Sequence, residues 1–227
     1  MRKLTFVVGD IHGCFSKLDS LTRYCVDYAS NRQLMFVMLG DYIDRGDDSR
    51  DVVKRLMLQS EQNPNEMICL KGNHEAMLII AQQNQEEMKW WIGNGGDRTL
   101  ASYGISSLAD FPPDHLAWIK TLPLCHDDGR RFFVHAGVDP TLPLDSQSEK
   151  TFLWTRKRYP ESLSAGRFVV HGHTPSRSGK PELQKHRLNL DTGAVYGGPL
   201  TAAVFNDEHD LPVAFIDHLG EITELSH

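Results

Sequence analysis

The stretch FVVGDIHGC, Phe6 to Cys14, decides how this chain is read. Leu4 to Val8 is an apolar run broken only by Thr5, the length of a buried strand. It runs straight into Gly9, after which a carboxylate (Asp10) and an imidazole (His12) stand two positions apart. Residues two apart on an extended segment project to the same side. Asp10 and His12 can therefore reach one ion beyond the strand end. Taken alone, such an end is better explained by a cap or turn than by a metal.

The pattern recurs along the chain. Leu34–Leu39 runs into Gly40-Asp41-Tyr42-Ile43-Asp44-Arg45-Gly46, and Met67–Leu70 into Lys71-Gly72-Asn73-His74-Glu75. Arg131–Val134 runs into His135-Ala136-Gly137, and Arg167–Val170 into His171-Gly172-His173-Thr174. Five predicted strands finish on Asp, Asn or His beside Gly. Glycine permits a sharp turn and a close approach of backbone to ligand. The carboxyl ends of strands in an open α/β sheet line one crevice, so the five ends are expected along one sheet edge. Ionised carboxylates gathered there would repel one another and be costly to desolvate. A cation with mixed oxygen and nitrogen ligands removes both costs. The set contains no thiolate, which suits Mn²⁺, Fe or Zn²⁺ better than a structural cysteine–zinc site. Six candidate ligands are too many for one ion that keeps an open position. Two ions about 3.5–4 Å apart, bridged by one Asp, lower the pKa of a shared water and displace a phosphate ester in line.

The pattern between these ends is helical. Phe15 to Ala29 carries Leu18, Leu21, Tyr24, Cys25 and Tyr28 at helical spacing. Asp47-Asp48-Ser49 caps a helix through Val52, Val53, Leu56 and Met57, and a third is expected over Glu75–Gln83. This β-α-β-α-β-α order implies a parallel sheet with helices on its faces. Beyond Arg130 the pattern changes to strands joined mostly by turns: Arg131–Val134, Arg167–Val170, Arg187–Leu190, Leu200–Phe205 and Val213–Ile216. They predict a second, more antiparallel sheet packed on the first. With no low-complexity linker or repeat, the expected organisation is one α/β domain over residues 1–227, two packed mixed sheets flanked by helices. Trp90 to Gly104 (WWIGNGGDRTLASYG) reads either as a substrate-facing loop and short helix or as Trp packed outside the core. Asp191-Thr192-Gly193 ends another strand and reads as a sheet turn rather than as a neighbour of the site. Glu75 reads as a helix opener favouring the N-terminal dipole, without chemistry.

Composition excludes several classes. A net charge of −6 argues against sequence-independent nucleic-acid binding, which needs a basic face. No stretch approaches the length of a membrane span, and Gly9-Asp10 interrupts the N-terminal apolar run before it could serve as a signal peptide. Cys14, Cys25, Cys69 and Cys125 are scattered, as expected of reduced thiols in a cytoplasmic protein.

The ordered set GDIHG, GDYIDRG, GNHE, HAG and HGHT resembles the phosphoprotein phosphatases, the metal-dependent serine/threonine phosphatases among the calcineurin-like metallophosphoesterases. It covers residues 9–174 and is highly specific. The segment NGGDRTLASYG resembles the bacterial and lambda-phage branch most. The resemblance implies the calcineurin-like metallophosphoesterase fold and two divalent metal ions, Mn²⁺ first, with Fe or Zn²⁺ as alternatives. It implies that Asp10 and His12 hold the first metal, that Asp41 bridges, and that Asn73, His135 and His173 hold the second. Arg45 and Arg156 (in LWTR) would grip the phosphate. Arg156 rests on the shortest match, its less favoured alternative being an exposed residue of a basic helix with Lys157 and Arg158. His74 would protonate the leaving alkoxide, oriented by Asp44, since an adjacent Asp favours a protonated imidazole. His171 is a neighbour rather than a ligand. Nuclease and cyclic phosphodiesterase relatives read GHxH where this chain has Pro175, which favours the protein-phosphatase branch and leaves the first metal with fewer protein ligands.

The implied function is a phosphomonoesterase acting on phosphoserine or phosphothreonine, working as a cytoplasmic monomer with a phosphoprotein or phosphopeptide as partner. The alternative is a bis(5'-nucleosyl)-tetraphosphatase, resembling the symmetrical diadenosine tetraphosphatases of bacteria. A third class, a binding scaffold without chemistry, is disfavoured because all six ligands and both members of the acid pair are present.

Overall fold

A computed structural model describes residues 3–157 and 166–226. Its first part alternates as the pattern predicts: β1 (Leu4–Val8), α1 (Phe15–Ala29), β2 (Leu34–Met38), α2 (Ser49–Gln62), β3 (Met67–Cys69) and α3 (Asn73–Ala81). The third helix begins at Asn73 rather than Glu75, so Asn73 and His74 lie in its first turn. The Glu75 carboxylate closes that turn by accepting the Gly72 N–H at 2.9 Å. Next come α4 (Gln85–Trp91), a single π-helical turn (Ile92–Gly96), α5 (Asp97–Tyr103) and α6 (Pro113–Thr121). The second part holds β4 (Cys125–Asp127), β5 (Arg131–Val134), α7 (Glu149–Trp154), β6 (Phe168–His171), β7 (Glu182–Leu183), β8 (Arg187–Asn189), β9 (Thr201–Asn206), β10 (Ala214–Asp217) and β11 (Ile222–Glu224).

Two mixed sheets form. The first has the order β11-β10-β9-β1-β2-β3 and the second β4-β5-β6-β8-β7. In the first, β1, β2 and β3 are parallel, with Val8 opposite Met38 and Met38 opposite Cys69. This level register brings the loops carrying Asp10, Asp41 and Asn73 out of one edge together. The other two motif strands, β5 and β6, are parallel neighbours in the second sheet. The five ends therefore lie on two sheets, three and two, and not on one sheet edge as expected.

A second correction concerns β9 and β10. β9 pairs antiparallel with β1, and β10 antiparallel with β9, in the first sheet. The reason is visible in β9, which is apolar on both faces. Ala202 and Val204 join the core beneath the helices, while Ala203 and Phe205 join the core between the sheets. A strand buried on both faces belongs at the centre of a sandwich, beside β1, whose Phe6 and Val8 face one core and Val7 the other. The core between the sheets sets Val7, Val37, Leu39 and Phe205 against Phe133, Val170, Leu188 and Leu190. On the outer face of the second sheet, Phe132 and Val134 pack with Phe152 of α7. No helix among the described residues is long and apolar enough to cross a membrane, and the four cysteines are unpaired.

Candidate metal centre

The two sheet edges meet where the motif loops converge, and Asp41 sits at the junction. One set of converging ligand atoms comes from His12, Asp41 and His74, another from Asp41, His135 and His173, each within 4.8 Å of one another. Asp41 Oδ2 lies 3.5 Å from His12 Nε2, and Oδ1 lies 3.4 Å from His135 Nε2. Oδ1 also accepts the backbone N–H of His74 at 3.0 Å. Asn73 Oδ1 lies 2.8 Å from both His135 Nε2 and His173 Nδ1. The Asp10 carboxylate accepts the His173 N–H at 3.1 Å. All six predicted ligands are thus gathered and buried.

The donor set fits a cation. The backbone carbonyl of Leu39 can only accept, so at 2.9 Å it takes the Nδ1 proton of His135. Nε2 of the neutral ring then carries a lone pair aimed at Asn73 Oδ1 and Asp41 Oδ1, with no proton between them. His12 repeats the device, donating Nδ1–H to the Ile43 carbonyl at 2.8 Å. Burial pushes His12 and His173 down to about 3 and lowers His135 too, so these rings are neutral and able to offer a lone pair to an ion. Burial, reinforced by neighbouring carboxylates, pushes Asp10 and Asp41 well above the carboxylate range. Such a cluster of lone pairs and carboxyls favours positive charge among them.

The loops hold this geometry under strain. Six non-glycine residues among those described have positive φ, and five are His12, Asp41, Asp44, Arg45 and His173. Such backbone is costly for an L residue and persists where surrounding contacts over-determine it. Glu75 supplies many of those contacts, accepting the N–H groups of Asp41 and Tyr42 at 2.8 Å each. It fastens the GDYID loop to the GNHE loop, a role that the sequence reading did not assign. Gly172 is required by proximity: a Cβ there would lie 2.0 Å from Asp10 Oδ1.

Next to Asp41, His74 and Asp44 form a fully buried pair, Nδ1 to Oδ2 2.6 Å. The expectation that Asp44 would raise His74 is not met. In the metal-free protein burial dominates and, with neighbouring His12 and the Arg45 guanidinium adding to it, pushes the ring well below its ordinary value. Arg45 turns inward, with Nη1 2.6 Å from His12 Nε2 and its guanidinium over the Tyr196 ring. Arg156 is exposed, beyond the end of α7 rather than within a helix, and its Nε lies 3.4 Å from His173 Nε2. His171 points away from the cluster, pairing with the Gly172 carbonyl and with Arg187.

Three residues of the site were not identified from sequence. Asp191, read as a turn, is buried with its carboxyl hydrogen-bonded to Asp10, and burial pushes it up to about 6. The available signal was one more strand ending on Asp and Gly. Trp91 and Thr99 both hydrogen-bond Asp44. They lie in the WWIGNGGDRT segment, where Trp90 is exposed but Trp91 is fully buried.

Residues 4–214 match the calcineurin-like phosphoesterase family. The chain belongs to that family. It is 33% identical over 208 residues to serine/threonine-protein phosphatase 1 of Salmonella typhimurium, covering 87% of this chain and 90% of that protein. It is 27% identical over 226 residues to the asymmetrical bis(5'-nucleosyl)-tetraphosphatase PrpE of Anoxybacillus flavithermus, covering 86% and 88%. Among solved structures, the cold-active protein-tyrosine phosphatase of a Shewanella species superposes with a TM-score of 0.69 at 17% identity, covering 99% of this chain and 80% of that one. A serine/threonine phosphatase from Saccharomyces cerevisiae gives 0.61 at 16% identity, with the same shares covered. These structural likenesses carry the fold alone. Family and site together make this chain a metallophosphoesterase with a candidate metal-binding centre.

Proposed function

We propose that this phosphoesterase is a protein serine/threonine phosphatase, hydrolysing phosphomonoesters with two divalent ions, Mn²⁺ first. The observation that carries the reading is the buried His74–Asp44 pair, 2.6 Å apart, beside the shared carboxylate Asp41. An acid placed there serves a poor leaving group, such as the alkoxide of serine or threonine. The 33% identical relative named as a serine/threonine phosphatase supports it, as does Pro175 where the diesterase relatives carry a second His.

Asp10, His12 and Asp41 would hold one ion, and Asp41, Asn73, His135 and His173 the other. When bound, the ions supply an activated water and neutralise phosphate charge. The chain's own residues do the rest. Arg45, and Arg156 from the rim, grip phosphate oxygens through their forked donors. With the negative charge of the bound phosphate beside it, the His74 ring would take up a second proton and give it from Nε2 to the departing oxygen. Asp44 holds the opposite nitrogen.

Hydrolysis of a bis(5'-nucleosyl)-tetraphosphate is the second reading, favoured by the 27% identical relative of that name. Here the asymmetrical kind, rather than the symmetrical one expected from sequence, is the one to test. Turnover of a phosphoserine peptide and of diadenosine tetraphosphate, compared under the same Mn²⁺ conditions, separates the two. The proposal expects the higher kcat/KM for the peptide, and the reverse order overturns it. His74→Asn is expected to remove turnover of the phosphopeptide.

A further inference from the structure

We infer that Trp91 and Thr99 are positioning residues that aim the Asp44 carboxylate at His74 and thereby fix which ring nitrogen faces the substrate. The inference rests on the reading of His74 as the acid that protonates the leaving oxygen.

The argument starts at Asp44, which has no solvent contact and a left-handed backbone at φ 72. Trp91 Nε1 donates to both of its oxygens, 3.1 Å from Oδ1 and 3.0 Å from Oδ2. An indole N–H can only donate, so it requires an acceptor there. Thr99 Oγ1 accepts the backbone N–H of Asp44 at 2.9 Å and lies 2.6 Å from Oδ1. Accepting on one side turns its own proton toward the carboxylate. Thr99 thus holds Oδ1 while the indole N–H bridges both oxygens, and together they pin the plane of the group with Oδ2 toward His74 Nδ1.

That choice propagates through the ring. Nδ1 carries the proton that Asp44 accepts, and Nε2 faces Asp41 Oδ2 at 3.9 Å. As water adds to phosphorus and the ester P–O bond breaks, the leaving oxygen takes the Nε2 proton of the doubly protonated ring. The ring returns to its neutral form with its remaining proton on Nδ1. A carboxylate free to rotate would not hold Nε2 in that place.

The two positioning residues flank the π-helical turn, which holds the next residue as well. Gly95 O accepts the N–H of Arg45 at 3.2 Å. Gly95 itself lies at φ 105, and a Cβ there would sit 2.8 Å from Arg45 N. One segment therefore restrains the consecutive strained residues Asp44 and Arg45.

Leaving-group dependence tests the inference. Phenyl phosphate needs its leaving oxygen protonated and 2,4-dinitrophenyl phosphate does not. Thr99→Val and Trp91→Phe are expected to lose about tenfold or more in kcat on the phenyl ester and about twofold or less on the dinitrophenyl ester. Thr99→Ser, which restores the hydroxyl, is expected to recover the phenyl ester rate. Equal losses on the two esters, no loss on either, or a Thr99→Ser variant as slow as Thr99→Val would overturn it. His74→Asn run in parallel separates the underlying reading: if that variant keeps full activity on the phenyl ester, the acid assignment itself fails, whatever the Thr99 series gives.

Discussion

The carboxyl of Asp191 hydrogen-bonds that of Asp10, both buried, so in the metal-free protein one of the two carries a proton. Asp191 is pushed up to about 6, mainly by burial. A carboxyl whose folded pKa lies above its unfolded value contributes stability that is complete below the unfolded pKa and is lost as pH rises through the folded one. Asp191→Asn has no such proton to lose. Metal-free Asp191→Asn should therefore gain on metal-free wild type as pH rises from about 4 to about 7, by on the order of 2 kcal/mol. Thermal melts in chelator across that range check this, and a gap that does not move with pH rules it out. Added Mn²⁺ should reverse the wild-type loss, because a cation held by Asp10 would offset the negative charge that deprotonation adds.

Glu75 accepts N–H groups of Asp41, Tyr42 and Gly72 while wholly buried. Glu75→Gln would turn an amide N–H₂ toward at least one of those donors. The expected cost is about 2 kcal/mol or more of stability, together with weakened metal binding, because the Asp41 loop loses its anchor. Denaturant unfolding of the metal-free protein and a Mn²⁺ titration measure the two effects. A variant as stable as wild type would contradict the anchoring role.

Gly172→Ala places a methyl group where Asp10 Oδ1 now lies. The carboxylate must swing away, since the glycine sits on the strand-end backbone. Mn²⁺ affinity is expected to fall about 10–100-fold, with the far-UV spectrum unchanged. Calorimetric titration provides the comparison, and unaltered affinity would mean that Asp10 is not held by this contact.

Arg45→Lys keeps the charge and removes the planar fork. Because Arg45 reaches across the cleft to His12 and is clamped by Gly95, the shorter reach and single ammonium should not be compensated. A fall of about tenfold to a hundredfold in kcat/KM on p-nitrophenyl phosphate is expected. Steady-state kinetics test it, and a Lys variant equal to wild type would remove Arg45 from phosphate binding.

How much of this could be read beforehand follows from range. Where a residue's role depends on its own strand end, the sequence carries it. Gly9-Asp10-Ile11-His12 follows an apolar run, and the structure puts both side chains in the cleft. The same holds for Asp41, Asn73, His135 and His173, and for Asp44 beside His74, because short motifs travel with the turns that shape them. The helix over Phe15–Ala29 was legible from its apolar spacing for the same local reason. The placement of β9 and β10 was not. Their apolar pattern marks burial on both faces without naming the neighbour that covers each. Nor was the partition of the five motif ends between two sheets, since pairing partners lie far apart in the chain.

The sequence by itself therefore determined the ligand types, their order and the class of chemistry they suit, all properties of residues near one another in the chain. Tertiary structure alone decided that Asp191 meets Asp10, that Glu75 ties two loops together, and that Trp91 and Thr99 hold Asp44. Each joins residues distant in sequence through buried hydrogen bonds. A buried carboxylate requires donors, but which donors reach it depends on how helices and sheets pack, not on the motif that contains it.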